Sequence, residues 1–249
     1  MKRLLKSVTS LSILLLVFGN VSYAETAALP DKDEVVLYEA TPITDMEVLF
    51  ERAKNGITDL PLSKSAEEPS IKQILNNNKS QIQAEPEIGV VEYFSTTQKV
   101  KAVKIDEKIV DTFSTTSFAI LADGSKNETK WDSSGGVVAY STVNYDTLTQ
   151  NNIKHYKLVS VTGGWNIHDS SINLSNRTVT YGATGNSLGG GPYLSQIGGP
   201  HSISVNAFSF AAPTSWYYIA QPSSTIGVTS QVTLSRNSST WQLLFPLNL

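Results

Sequence analysis

The sequence contains no cysteine. That absence excludes a disulfide scaffold, a thiolate zinc site, an iron–sulfur cluster, a cysteine nucleophile and a lipidated N-terminal cysteine. Charge is the second scarcity: only 16% of the 249 residues are Asp, Glu, Lys or Arg, and the formal net charge is −3. Without a basic excess, nucleic acid is not an expected partner. Long apolar runs are the third. The stretch from Leu11 to Phe18 is too short for a membrane-spanning helix, and no later segment is longer, so no stable membrane span is expected. Phe245-Pro246-Leu247-Asn248-Leu249 carries no basic tail behind a hydrophobic stretch, so no wall-sorting anchor is readable.

The N-terminus has the order of a secretory signal peptide. Lys2, Arg3 and Lys6 precede the apolar run, and Ser22-Tyr23-Ala24 places small residues three and one positions before a cut after Ala24. The expected division is therefore 1–24 signal peptide, 25–89 N-terminal extension and 90–249 main domain, in a protein secreted or held at the cell wall. Export without cysteine suits a Gram-positive bacterium.

Composition changes sharply near Trp131. Residues 25–130 hold 19 acids and 12 bases, whereas 131–249 hold only Asp132, Asp146 and Asp169 against Lys154, Lys157, Arg177 and Arg236. The second half draws its polarity from 31 Ser and Thr residues, and it holds twelve of the 16 glycines. Its regular β-branched and aromatic residues argue for strands rather than disorder.

The extension reads as helix and linker. Thr44-Asp45-Met46-Glu47 fits a capping box, with the Thr44 hydroxyl on the N3 amide and Glu47 reaching back. Met46, Leu49, Phe50 and Ala53 then share a face, and Asn55-Gly56 supplies a stop. A weaker helix is expected from Pro69-Ser70 through Ile71, Ile74 and Leu75. Asn76 to Glu87 is polar and reads as a linker. The extension as a whole is a propeptide, a docking segment or a small helical layer on the main domain.

From Val90 the period becomes two. Val90–Lys104 and Lys108–Leu121 form a hairpin about Ile105-Asp106-Glu107, and Asp123 to Asn127 is a turn cluster. Further short strands are expected at Gly136–Tyr145, Ile153–Val161, Trp165–Leu174, Arg177–Ala183, Ser202–Phe210, Gly227–Ser235 and Thr240–Phe245. The last pair is joined by Arg236-Asn237-Ser238-Ser239. Eight or nine strands without crossover helices predict a mainly β protein, an antiparallel β-sandwich or jelly roll with a small helical N-terminal extension.

Catalytic patterns are sparse. Gly185-Asn186-Ser187-Leu188-Gly189 matches the G-x-S-x-G nucleophile elbow, but Gly189-Gly190-Gly191-Pro192 cannot sustain the helix an elbow needs, and no acid follows Asp169. His155, His168 and His201 lack metal-ligand spacing. His168 and Asp169 are neighbours in sequence, which points them to opposite faces if both lie in a strand. A glycosidase pair would draw on Asp132, Asp146 and Asp169 or on the first half. Asp123-Gly124-Ser125-Lys126-Asn127 lacks the closing Glu of a calcium loop, and no phosphate-cradling motif occurs. No catalytic residue, metal or cofactor is expected.

Aromatics remain. Trp165 and Trp241 sit beside apolar strand residues and read as core. Trp216, Tyr217 and Tyr218 follow Pro213 and form the candidate ligand-binding group, presenting a ring at a strand end where a sugar stacks; packing at the rim is the competing reading.

Phe113 to Ala119, Trp131 to Val137, Ala139 to Thr142, Lys157 to Trp165 and Ser175 to Gly182 together resemble a group of uncharacterised secreted β-rich proteins of bacilli and clostridia over residues 90–249. The resemblance implies secretion and one β-rich domain, with no activity attached. The leading functional expectation is a secreted non-enzymatic protein that binds a cell-envelope or extracellular ligand, such as cell-wall glycan. The alternatives are a carbohydrate-binding or carbohydrate-active module and a pore-forming, membrane-active toxin.

Overall fold

The computed structural model describes residues 34–60, 73–75, 90–122 and 136–249. The expected signal peptide, the expected linker from Asn76 to Glu87, the expected turn from Asp123 to Asn127 and Trp131 lie outside these residues. Eleven strands and one helix make up the described chain: β1 Glu34–Glu39, α1 Met46–Lys54, β2 Gln73–Leu75, β3 Val90–Ile105, β4 Lys108–Ala122, β5 Val137–Gln150, β6 Ile153–Ile167, β7 Asn173–Ser187, β8 Tyr193–Ile203, β9 Ala207–Ala211, β10 Ile219–Arg236 and β11 Ser239–Asn248. No described helix is long and apolar enough to cross a membrane.

All strand pairs are antiparallel. Hydrogen bonds connect β1-β3-β4-β5-β6, with β9 on the far side of β6, into one wing. β8-β7-β10-β11-β2 forms the other. The wings join where Ile219 and Ala220 of β10 pair with Tyr156 and His155 of β6 on one side and with Ser187 and Asn186 of β7 on the other. Alternation then decides which side chains meet. Phe113, Val143, Tyr145, Leu158 and Trp165 of the first wing share one core with Val179, Tyr181, Val228, Leu234 and Phe245 of the second. Trp165 and Phe245 are fully buried, and removing each from water contributes about 1.5–3 kcal/mol. The protein is thus mainly β and folds as an antiparallel sandwich, as its sequence predicts.

The opposite face of β3, β4 and β5 carries α1. Asp45 caps the helix, its Oδ1 accepting from the backbone N–H of Glu47 and Val48. The cap is therefore Asp45 rather than Thr44: a carboxylate at the positive helix end accepts more strongly than a hydroxyl. Leu49, Phe50 and Ala53 pack on Phe118, Ile120 and Val138, with the Phe50 ring edge-on to Phe94 and Phe118 at 5.5 and 5.4 Å. The chain on either side of α1 runs along β3. The Gln98 amide donates to the Ile43 carbonyl and accepts from its N–H, and Asp59 N–H donates to Thr97 O.

Several expectations need correction. Ile74 and Leu75 lie in a strand, β2, paired with β11 rather than in a second helix. The extension thus supplies two strands of the sheet as well as α1. The strands are longer than expected, and Trp165 lies inside β6, which runs on to Ile167, instead of opening a new strand. Gly163-Gly164 looks like a break in sequence, yet the ladder continues through it. Phe208 stands opposite Gly163 and Tyr140 opposite Gly164, and a side chain at either glycine would collide with those rings. Each aromatic fills the place its cross-strand glycine leaves. The expected strand Ser202–Phe210 divides instead into the end of β8 and β9.

Candidate functional site

The three candidate ligand residues sit between β9 and β10 and point different ways. Trp216 turns inward, its ring 5.8 Å from Tyr181. Tyr217 turns outward and is 67% exposed. Tyr218 turns back towards the sheet, with the Lys157 ammonium 6.0 Å from its ring. The loop is fixed by Gln196, whose amide accepts from Tyr217 N–H at 2.6 Å and donates to Tyr217 O at 3.1 Å. The structure therefore brings one ring of the trio to the surface, not a three-ring platform.

Tyr218 lies beside a polar row that the strand register builds. Lys101 faces Thr112, Thr112 faces Asp146, and Asp146 faces Lys157 across β3, β4, β5 and β6. Thr112 donates to Asp146 Oδ1 at 2.7 Å. Burial pushes the Asp146 carboxyl above the usual range, although the Thr112 bond and the charges of Lys157 and Lys101 oppose the rise. Burial likewise raises the Tyr218 phenol, and the nearby Asp146 charge adds to it. Lys157 also donates to Thr214 O at 3.3 Å, which ties the row to the loop. The sequence named Asp146 only as one of three scarce acids; its place in the row follows from register across four strands.

The histidines do not converge. His155 is buried on β6, and its Nδ1 has no hydrogen-bond partner among the described residues. His201 stacks on Phe210, centroids 4.4 Å apart, and on Tyr181. Asp169 bonds Ser171 through both the hydroxyl and the backbone N–H and pairs with Arg236. The two Ser171 bonds, then Arg236, hold its carboxyl below the usual range. Ser187 closes β7, and a turn at 188–190 leads into β8, with Ser187 N–H donating to Pro192 O. The elbow's helix is missing there, as the glycines predict. No group of three or more His, Asp or Glu residues among those described is placed to hold a metal.

The feature that sequence reasoning missed is the outer face of the second wing. Register aligns Thr184 with Thr225, Thr180 with Thr229, and Thr178 with Gln231 across β7 and β10. On β11, Pro246 and Leu244 continue the Thr229 and Gln231 rows, and Gln242 and Thr240 stand in the next two. Among the described positions of this face there is no acidic or basic side chain. Exposed Tyr193 and Ile197 stand at its β8 edge. The signal was present as Thr178-Val179-Thr180 and as the alternation from Val228 to Leu234, where Thr229, Gln231 and Thr233 recur at every second position. No protein-family profile, curated protein or solved structure matches the chain.

Proposed function

We propose that the chain is an exported, non-enzymatic binding protein of the cell envelope or its surroundings, and that its ligand is a neutral, hydroxyl-rich polysaccharide lying along the outer face of β7, β10 and β11. The observation that carries this reading is the register of hydroxyl and amide side chains on a face without acids or bases. Rows about 4.8 Å apart across strands, with side chains about 6.7 Å apart along them, present both donors and acceptors to a repeating polyol. Each exchange of a water contact for a sugar contact is worth little, on the order of 1 kcal/mol. A polymer engaging many rows gains through multivalency. Charged ligands find no counter-charge there, which favours a neutral polymer over teichoic or nucleic acids. Tyr193 at the edge and Tyr217 on the nearby loop offer rings for stacking.

The burial of Asp146 and His155, at 4% and 2% exposure, supports a binding role over catalysis, because a substrate does not reach sealed groups. The order of basic residues, apolar run and Ser22-Tyr23-Ala24 at the N-terminus supports export. The test is sedimentation of the purified protein with insoluble cell-wall glycan, cellulose and chitin. Retention on at least one, reduced tenfold or more by Thr180→Glu with Gln242→Glu, which stand in different rows of the face, at unchanged melting temperature, is the expected result. Failure to sediment with all three at micromolar protein, or retention unaffected by the double variant, overturns it.

A further inference from the structure

The first strand carries a second surface. All six residues of β1 are exposed, and four successive large apolar side chains, Val35, Val36, Leu37 and Tyr38, are 54%, 51%, 52% and 44% exposed. β1 bonds to β3 along one edge, and no described residue pairs with the other. Open apolar edges associate with further strands unless something prevents it, and the single register slip of β1, between Val36 and Tyr38, leaves its other five residues paired with β3. We propose that the outer edge of β1 is a docking site for an extended segment of a partner protein in which basic residues bracket a short apolar run.

The charges choose the occupant. Register places Glu34 opposite Ile105 and Glu39 opposite Lys101, so both carboxylates project on the same face of β1, one at each end of the apolar run. On the inner edge they already meet such a segment, because Lys101 and Lys104 of β3 bracket Ala102-Val103, and the Lys101 ammonium lies 2.7 Å from Glu34 Oε1. Glu39 has no ion pair among the described residues. A second copy of this chain, paired antiparallel over the full strand, would set Glu34 against Glu39 at both ends, and like charges directly opposite destabilise a strand pair. A segment with lysine or arginine at both ends converts those repulsions into attractions while its backbone completes the ladder.

The test uses two labelled hexapeptides with Val-Thr-Ile-Val at the centre, one with lysine at both ends and one with glutamate, titrated into the protein at low salt and followed by fluorescence anisotropy. The lysine peptide is expected to bind at least tenfold more tightly, and Glu34→Lys with Glu39→Lys to reverse the preference. Glu34→Gln with Glu39→Gln, which leaves Lys101 unopposed by a new cation, should abolish the preference and guards against detachment of β1. Absence of binding by the lysine peptide, equal binding of the two peptides, or a preference unmoved by the glutamine pair overturns the proposal. So does sedimentation of the wild type as a dimer that the glutamine pair leaves intact.

Discussion

The hydroxyls of Thr116 and Thr142 lie 2.9 Å apart between β4 and β5, with Thr116 wholly buried. On the opposite face of β4, Thr115 makes a second such pair with Thr97 of β3, also at 2.9 Å. Tyr93 donates to Ser117, and Ser117 to Ser95. The middle of the first wing is therefore held by hydroxyls on both faces, where most sandwiches have at least one apolar layer.

A buried hydroxyl deprived of its partner costs about 1–3 kcal/mol, whereas replacing both partners by groups of like shape is nearly neutral. Thr116→Val and Thr142→Val should each destabilise by that amount. The double variant should lose less than the two losses added together. Urea unfolding of the four proteins measures the coupling, and strict additivity would show that the pair contributes nothing.

Asp146 sets a dependence on pH. Because burial raises its folded-state pKa, the folded chain holds this proton more tightly than the unfolded chain does. Its contribution to stability therefore falls as pH climbs from the ordinary aspartate range to the raised value. Asp146→Asn keeps an acceptor for Thr112 and removes the charge. It should raise the melting temperature at pH 7, with a gain that shrinks as pH drops from the raised value towards the ordinary aspartate range. A lower melting temperature than wild type at pH 7 would show that the two lysines outweigh desolvation.

Phe50 is wholly buried in the small core between α1 and β4. Phe50→Ala should cost about 3–5 kcal/mol. Because the segment from Ala40 to Leu60 packs along β3, hydrogen exchange should quicken at Asp59 and Ile43 before it does at Trp165. Uniform acceleration across the chain would mean that this segment does not open separately from the sandwich.

Gly164 faces the Tyr140 hydroxyl on one strand and the backbone carbonyl of Asn206 on the loop before β9. A backbone atom yields less readily than a side-chain tip. Gly164→Ala should therefore destabilise by about 1–3 kcal/mol and release β9, read as lost protection at Phe208 and Phe210. Unchanged stability would show that the 204–206 loop moves aside freely.

The sandwich was legible because a period of two survives in most strands, as from Val228 to Leu234, and because α1 carries Leu49, Phe50 and Ala53 at helical spacing. Strand lengths were not. Asn151 and Asn152 both adopt positive φ at the β5–β6 turn, and with that turn read, Gln150 and Ile153 would have fallen into place as strand ends. The glycine pair at 163–164 hid continuity, since what fills the space beside each comes from residues far away in sequence. Ile74 shows the converse: a three-residue strand is fixed by its partner β11, and its own residues carry too little pattern to announce it. The candidate trio lies between β9 and β10. Its side chains diverge because Trp216 is drawn to Tyr181 while Tyr218 lies beside Lys157.

The seam between the wings has a consequence for the order of assembly. Among the described strands the wings bond to each other through β6 and β10, and β10 follows β3 through β9 in the chain. A polypeptide emerging N-terminus first can close the ladder β3-β4-β5-β6 early, because those pairs are sequence neighbours. β7 and β8 then form a hairpin with one edge waiting. Only when residues 219–236 arrive does that hairpin gain a neighbour, and only with β11 does the core receive Phe245. Completion is thus deferred to the last part of the chain, whatever the first two hundred residues have already paired.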